Sequence, residues 1–145
     1  MNLTPNKTIK IGPFSTSKKE LIDITKAWAA ISFMFAVVLG GLSFSTSFFI
    51  IAAISALTVG TGFLLHELAH KIVAQRYGCF AEFRSYDTML LFALAMSFFG
   101  FVFAAPGAVM IAGHVTRKEN GFIAAVGPWV NILLAIVFLA IGLIS

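Results

Sequence analysis

Two histidines and a glutamate lie close together in the run His66-Glu67-Leu68-Ala69-His70, at the end of a long uncharged stretch. In a helix, successive side chains are about 100° apart, so these three would share one face. Two imidazoles one turn apart can bind Zn²⁺, and the glutamate can act as general base toward water that the ion activates. The pattern predicts His66 and His70 as ligands of one zinc ion and Glu67 as the catalytic base.

The composition indicates the kind of protein that carries this motif. The chain has 145 residues, of which 59% are hydrophobic and 11% charged, and its mean hydropathy is +0.97. Soluble domains are about 45–50% apolar and about 25% charged. Residues 27–66, 88–116 and 120–145 contain no Asp, Glu, Lys or Arg. These features exclude an ordinary soluble domain and a disordered chain, and they predict one multi-pass membrane domain over residues 1–145.

The expected fold class is an all-α integral membrane protein with three to four transmembrane helices. Ser17 and Glu20 have the spacing of a capping box, so the first helix is expected over 17–39, with Glu20 reaching back to Ser17. A second helix is expected over 48–75. Five lysines precede the apolar part of the first helix, and Lys71, Arg76 and Arg84 follow the second span. Basic residues favour the cytosol, so residues 1–26 form a predicted cytosolic N-terminal segment. Because the basic residues flank apolar segments, as topology determinants do, the net charge of +4 gives no reason to expect a nucleic-acid partner, and the expected partner is the lipid bilayer.

The topology between the second and last helices has two interpretations. Residues 89–105 are long enough for a spanning helix, whereas 108–115 are too few for another, and a final helix is expected over 122–144. If every apolar run spans, Arg117 and Lys118 face outward. If a segment around 106–116 returns through the protein in extended form, they face the cytosol, which the charge rule prefers. Such a segment must be shielded by protein or line a wet cavity.

The motif is also compatible with two roles that involve no zinc. The two histidines could be structural, satisfied by other helices, or Glu67 could mark an ion path through the membrane. His114 is expected at the membrane interface, and Cys79 is expected to be a small filler.

The sequence resembles the site-2 protease family of intramembrane zinc metalloproteases (peptidase family M50), in its short prokaryotic and archaeal form. The resemblance rests on the His66–His70 motif within an apolar helix and on Gly127-Pro128-Trp129-Val130-Asn131 at the opening of a later helix. Residues 105–113 and Glu119-Asn120-Gly121 are also similar.

The resemblance implies roles for further residues. Asn131 would assist catalysis through a polar contact to the substrate backbone or oxyanion. The segment with Val109, Ile111 and Gly113 would hold the substrate as a β-strand, because a transmembrane substrate must be unwound before cleavage. The partner would be a membrane-protein substrate, cut near the cytosolic face of a prokaryotic cell membrane.

The family's third zinc ligand is an Asp in a final helix, and this chain is expected to lack that helix. A catalytic zinc normally has three protein ligands. The missing ligand could come from a longer chain, from Asp87 or His114, or from a second chain. The predicted function is therefore intramembrane zinc metalloendopeptidase. The alternatives are a catalytically incomplete pseudoprotease acting as a membrane scaffold and an ion-translocating membrane protein.

Overall fold

A computed structural model describes residues 8–103 and 106–145. The predictions for residues 1–7, and for 104 and 105 at the end of the expected third helix, lie outside the described residues. In chain order the elements are β1 Thr8–Ile11, β2 Phe14–Ser17, α1 Lys18–Gly40, α2 Thr46–Ser55, a π-helical turn Ala56–Gly60, α3 Thr61–Arg76, β3 Phe80–Ser85, α4 Asp87–Ser97, β4 Gly107–Ala112 and α5 Arg117–Ile144.

Three helices in the described parts of the chain are long and apolar enough to cross a membrane. They are Lys18–Gly40 with 23 residues, the continuous helix Thr46–Arg76 with 31, and Arg117–Ile144 with 28. At about 1.5 Å per residue, each exceeds the roughly 30 Å of a hydrocarbon core. The first two lie close to their expected boundaries. Most apolar side chains of α5 are exposed, as contact with lipid requires.

The start of α1, the end of α3 and the start of α5 lie at the same end of the molecule. Glu20 is paired with Lys71, and Gln75 Nε2 donates to the backbone carbonyl of Ser15 at 3.0 Å. At the end of α3, Arg76 and Tyr77 line a hollow together with Phe122 of α5. The basic residues on these elements, and on β3 where it is hydrogen-bonded to Glu20 of α1, are Lys18, Lys19, Lys26, Lys71, Arg76, Arg84, Arg117 and Lys118. This arrangement agrees with the topology in which Arg117 and Lys118 share a side with the N-terminal segment.

The all-α expectation is wrong in part, because two small antiparallel sheets accompany the helices. The N-terminal segment contains the hairpin of β1 and β2. The predicted extended segment is present as β4, and it pairs with β3 from Phe80 opposite Ala112 to Ser85 opposite Gly107. Strands of four to six residues this close to apolar helices give a weak periodic signal, which is why the sequence did not reveal β1, β2 and β3.

The expected spanning helix over 89–105 is also wrong. Helix α4 has 11 residues, or about 16 Å, which is about half the thickness of a hydrocarbon core. Gly100 has a φ of 85°, its N–H donates to the carbonyl of Ser97, and the N–H of Phe101 donates to the carbonyl of Met96. This is the Schellman arrangement that ends a helix, with glycine in the left-handed conformation. The apolar run is therefore helical for only part of its length.

Helix α5 begins earlier than the expected residue 122. Thr116 and Glu119 form a capping box, each side chain accepting from the other residue's backbone N–H. Gly127 and Pro128 therefore lie inside α5 rather than at its opening. Pro128 has no N–H for the helical hydrogen bond, an interruption that membrane helices tolerate.

Helix α1 begins at its expected cap. The Ser17 hydroxyl accepts from the N–H of Glu20 at 3.1 Å. The Glu20 carboxylate does not complete the box, because it accepts from Lys71, from Thr16 Oγ1 and from the N–H of Phe83. Charge-assisted bonds to other elements thus replace the local contact that the spacing predicts.

Candidate active site

Helix α3 carries the motif, and the π-helical turn immediately before it is a point at which α1 contacts this helix. The indole N–H of Trp28 donates to the carbonyl of Ala56 at 3.2 Å. Gly60 lies directly against the Trp28 ring, and a Cβ there would clash with it and lie 2.8 Å from Ser32 Oγ. Single π-turns often occur at functional sites. Here α1 holds the turn that leads into the motif.

His66 and His70 point the same ring nitrogen toward each other. Their Nε2 atoms are 3.0 Å apart, and their ring centroids are 4.7 Å apart at an interplanar angle of 79°. Two ligands of a tetrahedral zinc ion, each about 2.0–2.1 Å from the metal, would be separated by about 3.3 Å. The two nitrogens are therefore close to the separation that a shared zinc ion needs.

Helix α5 holds the opposite nitrogen of each ring. His70 Nδ1 lies 2.6 Å from the carbonyl oxygen of Ile123, and His66 Nδ1 lies 3.0 Å from the side-chain amide of Asn131. Metal-binding histidines in proteins usually have such a partner on the ring nitrogen that does not bind the metal. The structure thus brings Asn131, which the resemblance implicated, to the ring of a predicted ligand.

Gly127 provides space at the histidine pair. A Cβ at this position would clash with His70 Nε2 and lie 2.7 Å from His66 Nε2. The backbone of α5 therefore passes beside the two nitrogens, where any side chain would fill the space that a metal ion requires. Together with the convergent nitrogens, this space makes the histidine pair a good fit for two of the ligands of a zinc ion.

The third ligand has no candidate in the described residues. Within 8–103 and 106–145, no cluster of three His, Cys, Asp or Glu side chains could hold a metal ion. Asp87 lies at the start of α4, where it accepts from Lys26 Nζ at 2.7 Å and from Ser85 Oγ at 3.0 Å. His114 is exposed after the end of β4. Neither residue therefore joins the histidine pair.

Glu67 lies between two cavities. A cavity of about 470 Å³ contains Glu67, His66 and Asn131 in its wall, and β4 contributes Gly107. A second cavity, of about 280 Å³, is lined by Glu67 and His70. Peptide-sized space is therefore open on both sides of the carboxylate.

Two of the three predicted substrate-binding residues lie at these cavities. Val109 and Ile111 of β4 line the smaller cavity together with Glu67. Gly113, just after β4, packs against Cys79, whose Sγ would be 3.1 Å from a Cβ at that glycine. Cys79 is buried in a small apolar cluster. Gly113 is thus seen in a packing contact, and its role with substrate stays a prediction.

Three contributors to the site were missed from the sequence: Gly127, the carbonyl of Ile123 and the ion pair of Glu20 with Lys71. Backbone carbonyls leave no trace in residue types. Gly127 is recognisable from the sequence as part of a motif, but nothing in the sequence indicates that it provides the space beside the histidines. Lys71 follows His70 directly, and a lysine at the end of an apolar helix ordinarily indicates only the membrane boundary.

Comparison with known proteins finds a relative whose name gives an enzymatic activity. No protein-family model matches the chain, and no solved structure matches it. A protein of Methanocaldococcus jannaschii named "Putative zinc metalloprotease MJ0611" is 43% identical over 133 residues, which are 90% of this chain and 66% of that relative. The chain is homologous to a protein named as a zinc metalloprotease. Because the chain spans 66% of the relative's length, the activity of the whole protein is a matter for proposal.

Proposed function

We propose that this chain forms the core of an intramembrane zinc metalloendopeptidase of the site-2 protease type, which hydrolyses membrane-anchored substrates near the cytosolic face. The observation that carries the proposal is the position of the histidine pair and Glu67. They lie on a membrane-length helix. His66 and Glu67 line the cavity of about 470 Å³, Glu67 and His70 line the cavity of about 280 Å³, and β4 contributes to both walls. The similarity to a protein named as a zinc metalloprotease supports the same chemistry.

Strand β4 is the proposed binding site for an unwound substrate. A helical substrate shields its peptide bonds, and within a membrane an unwound segment needs partners for its backbone groups. In the described part of the chain, β4 is hydrogen-bonded to β3 along one edge, and it pairs with no other strand. An extended substrate could pair with the second edge, beside Val109 and Ile111, and lie next to Glu67.

His66 and His70 would hold the zinc ion through Nε2. When bound, the ion would supply Lewis-acid chemistry, which polarises a carbonyl and lowers the pKa of water. The Glu67 carboxylate takes a proton from the attacking water and delivers it to the amide nitrogen that leaves, so its own charge is restored. Asn131 lines the cavity of about 470 Å³ together with Glu67, and it can donate a hydrogen bond to the oxygen of the scissile carbonyl. The third zinc ligand is proposed to come from outside the described residues.

The proposed orientation places the basic end of the molecule in the cytosol. The start of α1, the end of α3 and the start of α5 meet at this end, and short basic segments favour the cytosolic side. The motif lies in the second half of the continuous helix Thr46–Arg76, toward its basic end. Cleavage would thus occur near the cytosolic boundary of the membrane.

The test compares Glu67→Gln with His66→Ala in the full-length protein, reconstituted in lipid nanodiscs with a panel of single-span substrates. The wild type should bind about one zinc ion and cleave a substrate. Glu67→Gln should retain zinc and lose cleavage by at least about a hundredfold, since a general base contributes about 10²–10⁴. His66→Ala should lose both. Cleavage that persists in Glu67→Gln would contradict the proposed mechanism.

A membrane scaffold is the second candidate, favoured by the presence of two rather than three clustered ligands in the described residues. A scaffold would retain the cavity and the histidine pair, with weak zinc binding and no turnover. Full-length protein that binds zinc weakly and cleaves none of the substrates would favour this function over the protease.

A further inference from the structure

The hydrogen bonds at the two histidines constrain which ring nitrogen carries the proton. A carbonyl oxygen can only accept, so His70 Nδ1, 2.6 Å from the carbonyl of Ile123, must carry a proton. In the neutral ring, His70 Nε2 then has a free lone pair, as a metal ligand needs. His70 is thereby fixed in the ligand form by the backbone of α5.

His66 is held differently, because the partner of its Nδ1 is a side-chain amide, and the backbone of Gly127 also lies within hydrogen-bond reach of the ring. Its Nδ1 faces the side chain of Asn131 at 3.0 Å, and an amide can either accept through Oδ1 or donate through Nδ2. The orientation of an amide is assigned from its hydrogen bonds and is not distinguished by shape. Both tautomers of His66 can therefore be satisfied at this position.

Each tautomer requires a different orientation of Asn131. With the proton on Nε2, His66 donates to His70 Nε2, 3.0 Å away, and Asn131 must donate through Nδ2. With the proton on Nδ1, Asn131 must accept through Oδ1, and both Nε2 lone pairs are free for a metal ion. Half a turn of the amide interchanges the two arrangements without moving its heavy-atom positions.

The amide has space to turn and a cavity to face. Asn131 and Gly62 line the same cavity of about 470 Å³. The amide atom that does not face His66 would be 3.7 Å from a Cβ at Gly62. When Oδ1 accepts from His66, Nδ2 occupies that second position and is presented to the cavity as a donor.

We propose that Asn131 is a positioning residue that sets the tautomer of His66, and that its Oδ1 orientation both makes His66 a metal ligand and presents Nδ2 to a substrate carbonyl. The metal part of this inference rests on the proposed zinc function. The tautomer part rests on the contacts of His66, Asn131 and His70 alone.

The variants Asn131→Asp and Asn131→Leu separate the two orientations. A carboxylate can only accept, so Asn131→Asp fixes the proton on His66 Nδ1, whereas Asn131→Leu removes the partner. Asn120→Leu is the control, because it removes the same kind of side chain from the same helix, in the wall of the smaller cavity. The described partners of the two histidine Nδ1 atoms are Ile123 and Asn131, so this variant leaves both contacts in place.

The first measurement is zinc affinity of the full-length protein by competition with a chelator. Losing a partner of a metal-binding histidine typically weakens binding about 10–100-fold, which is the change expected for Asn131→Leu. Asn131→Asp and Asn120→Leu should bind zinc at least as tightly as the wild type. Wild-type affinity in Asn131→Leu would overturn the proposal.

The second measurement is nitrogen NMR of ¹⁵N-labelled histidine rings, recorded without zinc. The chain has three histidines, and exposed His114 serves as a reference. Asn131→Asp should show His66 protonated on Nδ1, and Asn131→Leu should shift it toward Nε2, while His70 stays protonated on Nδ1 in both. An unchanged His66 tautomer in both variants would overturn the proposal.

The two measurements also separate failure of this inference from failure of the proposed function. If no form of the protein binds zinc but the His66 tautomer follows residue 131, the positioning contact stands and the metalloprotease proposal fails. If zinc binds equally well in all forms, the metalloprotease stands and the role of Asn131 fails. If Asn131→Leu does not fold, the tautomer of His66 in the Asn131→Asp variant decides whether Asn131 positions the proton.

Discussion

Glu20 and Lys71 form a buried ion pair that joins the start of α1 to the motif helix one residue after His70. Their side chains are 3% and 7% exposed. The Glu20 carboxylate also accepts from the N–H of Phe83 at 2.9 Å, so one side chain connects α1, α3 and the sheet that contains β4. The elements that would hold the metal and the substrate are thus attached to a common point.

Glu20→Leu is expected to destabilise the protein by about 3–5 kcal/mol. Removing one partner of a buried ion pair leaves the other charge uncompensated, and that penalty exceeds the net value of the pair. The double variant Glu20→Leu/Lys71→Met should recover much of the loss, because no charge is then left alone. Thermal unfolding in detergent measures both.

The control for the ion pair is Lys19→Met. Lys19 lies 3.5 Å from Asp23, but its side chain is 53% exposed, so its contribution should be under about 1 kcal/mol. Equal destabilisation by Glu20→Leu and Lys19→Met would show that the buried pair is not a significant link between the helices.

Gly127→Ala is expected to abolish zinc binding while leaving the protein folded. The added methyl would clash with His70 Nε2 and lie 2.7 Å from His66 Nε2, so the rings must move apart. The measurement is zinc content after purification, together with the melting temperature.

Gly121→Ala provides the matched control on the same helix. A Cβ at Gly121 meets nothing within 4 Å. This variant should bind zinc like the wild type and be slightly more stable, since alanine is a better helix former than glycine by about 0.8–1.0 kcal/mol. Normal zinc binding in Gly127→Ala would show that the ion does not lie between these histidines and α5.

The stability of the protein should depend on pH through Glu82, whose pKa burial raises above its ordinary value of 4.5 despite the attraction of Arg84. The folded protein then keeps this proton at pH values where the unfolded chain has released it. The stabilisation attributable to Glu82 is therefore fully present below about pH 4.5, and it declines as the pH rises through the raised pKa. Glu82→Gln should remove this decline, so the melting temperature of the variant minus that of the wild type should increase with pH.

Asp87→Asn is the opposing control. A hydrogen bond from Lys26 lowers the pKa of Asp87 below its ordinary value of 3.8. Its contribution is present above that value and is lost as the pH falls through the lowered pKa. The difference in melting temperature between Asp87→Asn and the wild type should therefore change at acid pH. If the melting temperature of Glu82→Gln minus that of the wild type stays constant between pH 4 and pH 7, the expected role of Glu82 is contradicted.

The sequence predicted those parts of the structure that depend on long or local patterns. Two membrane-length helices and the common face of His66, Glu67 and His70 follow from hydropathy and a period of 3.6 residues. The parts that it did not predict depend on partners far along the chain. Glu20 has the local spacing of a capping box, yet Lys71 and the N–H of Phe83 are its partners in the folded protein. Such competition between local and distant hydrogen bonds is decided by tertiary packing, which residue spacing does not encode.

The apolar run after residue 88 illustrates the same limit. Its hydropathy suits a spanning helix, but Gly100 ends α4 in a left-handed conformation, and the run does not continue as helix through residue 103. The sequence signal for this ending was a single glycine between phenylalanines, which a window average removes.

Gly107→Ala should separate substrate binding from metal binding. A Cβ at Gly107 would clash with the carbonyl oxygen of Arg84 and lie 2.6 Å from Phe83 Cζ and 2.9 Å from Ser85 Cα, so the strands must separate at this end of the ladder. Faster hydrogen exchange at the β3 amides would report that separation. Because His66 and His70 lie on α3 and their partners lie on α5, zinc affinity should stay within about twofold of wild type while peptide cleavage is lost.

Gly142→Ala, in open space on α5, is the control for this substitution and should change neither hydrogen exchange in β3 nor cleavage. If Gly107→Ala loses zinc as well as cleavage, β4 is part of the support of the metal site. If it separates the strands and still cleaves at the wild-type rate, the substrate does not depend on β4. In that case the backbone of an unwound substrate must find its hydrogen-bond partners elsewhere in the cavity, because a membrane provides none.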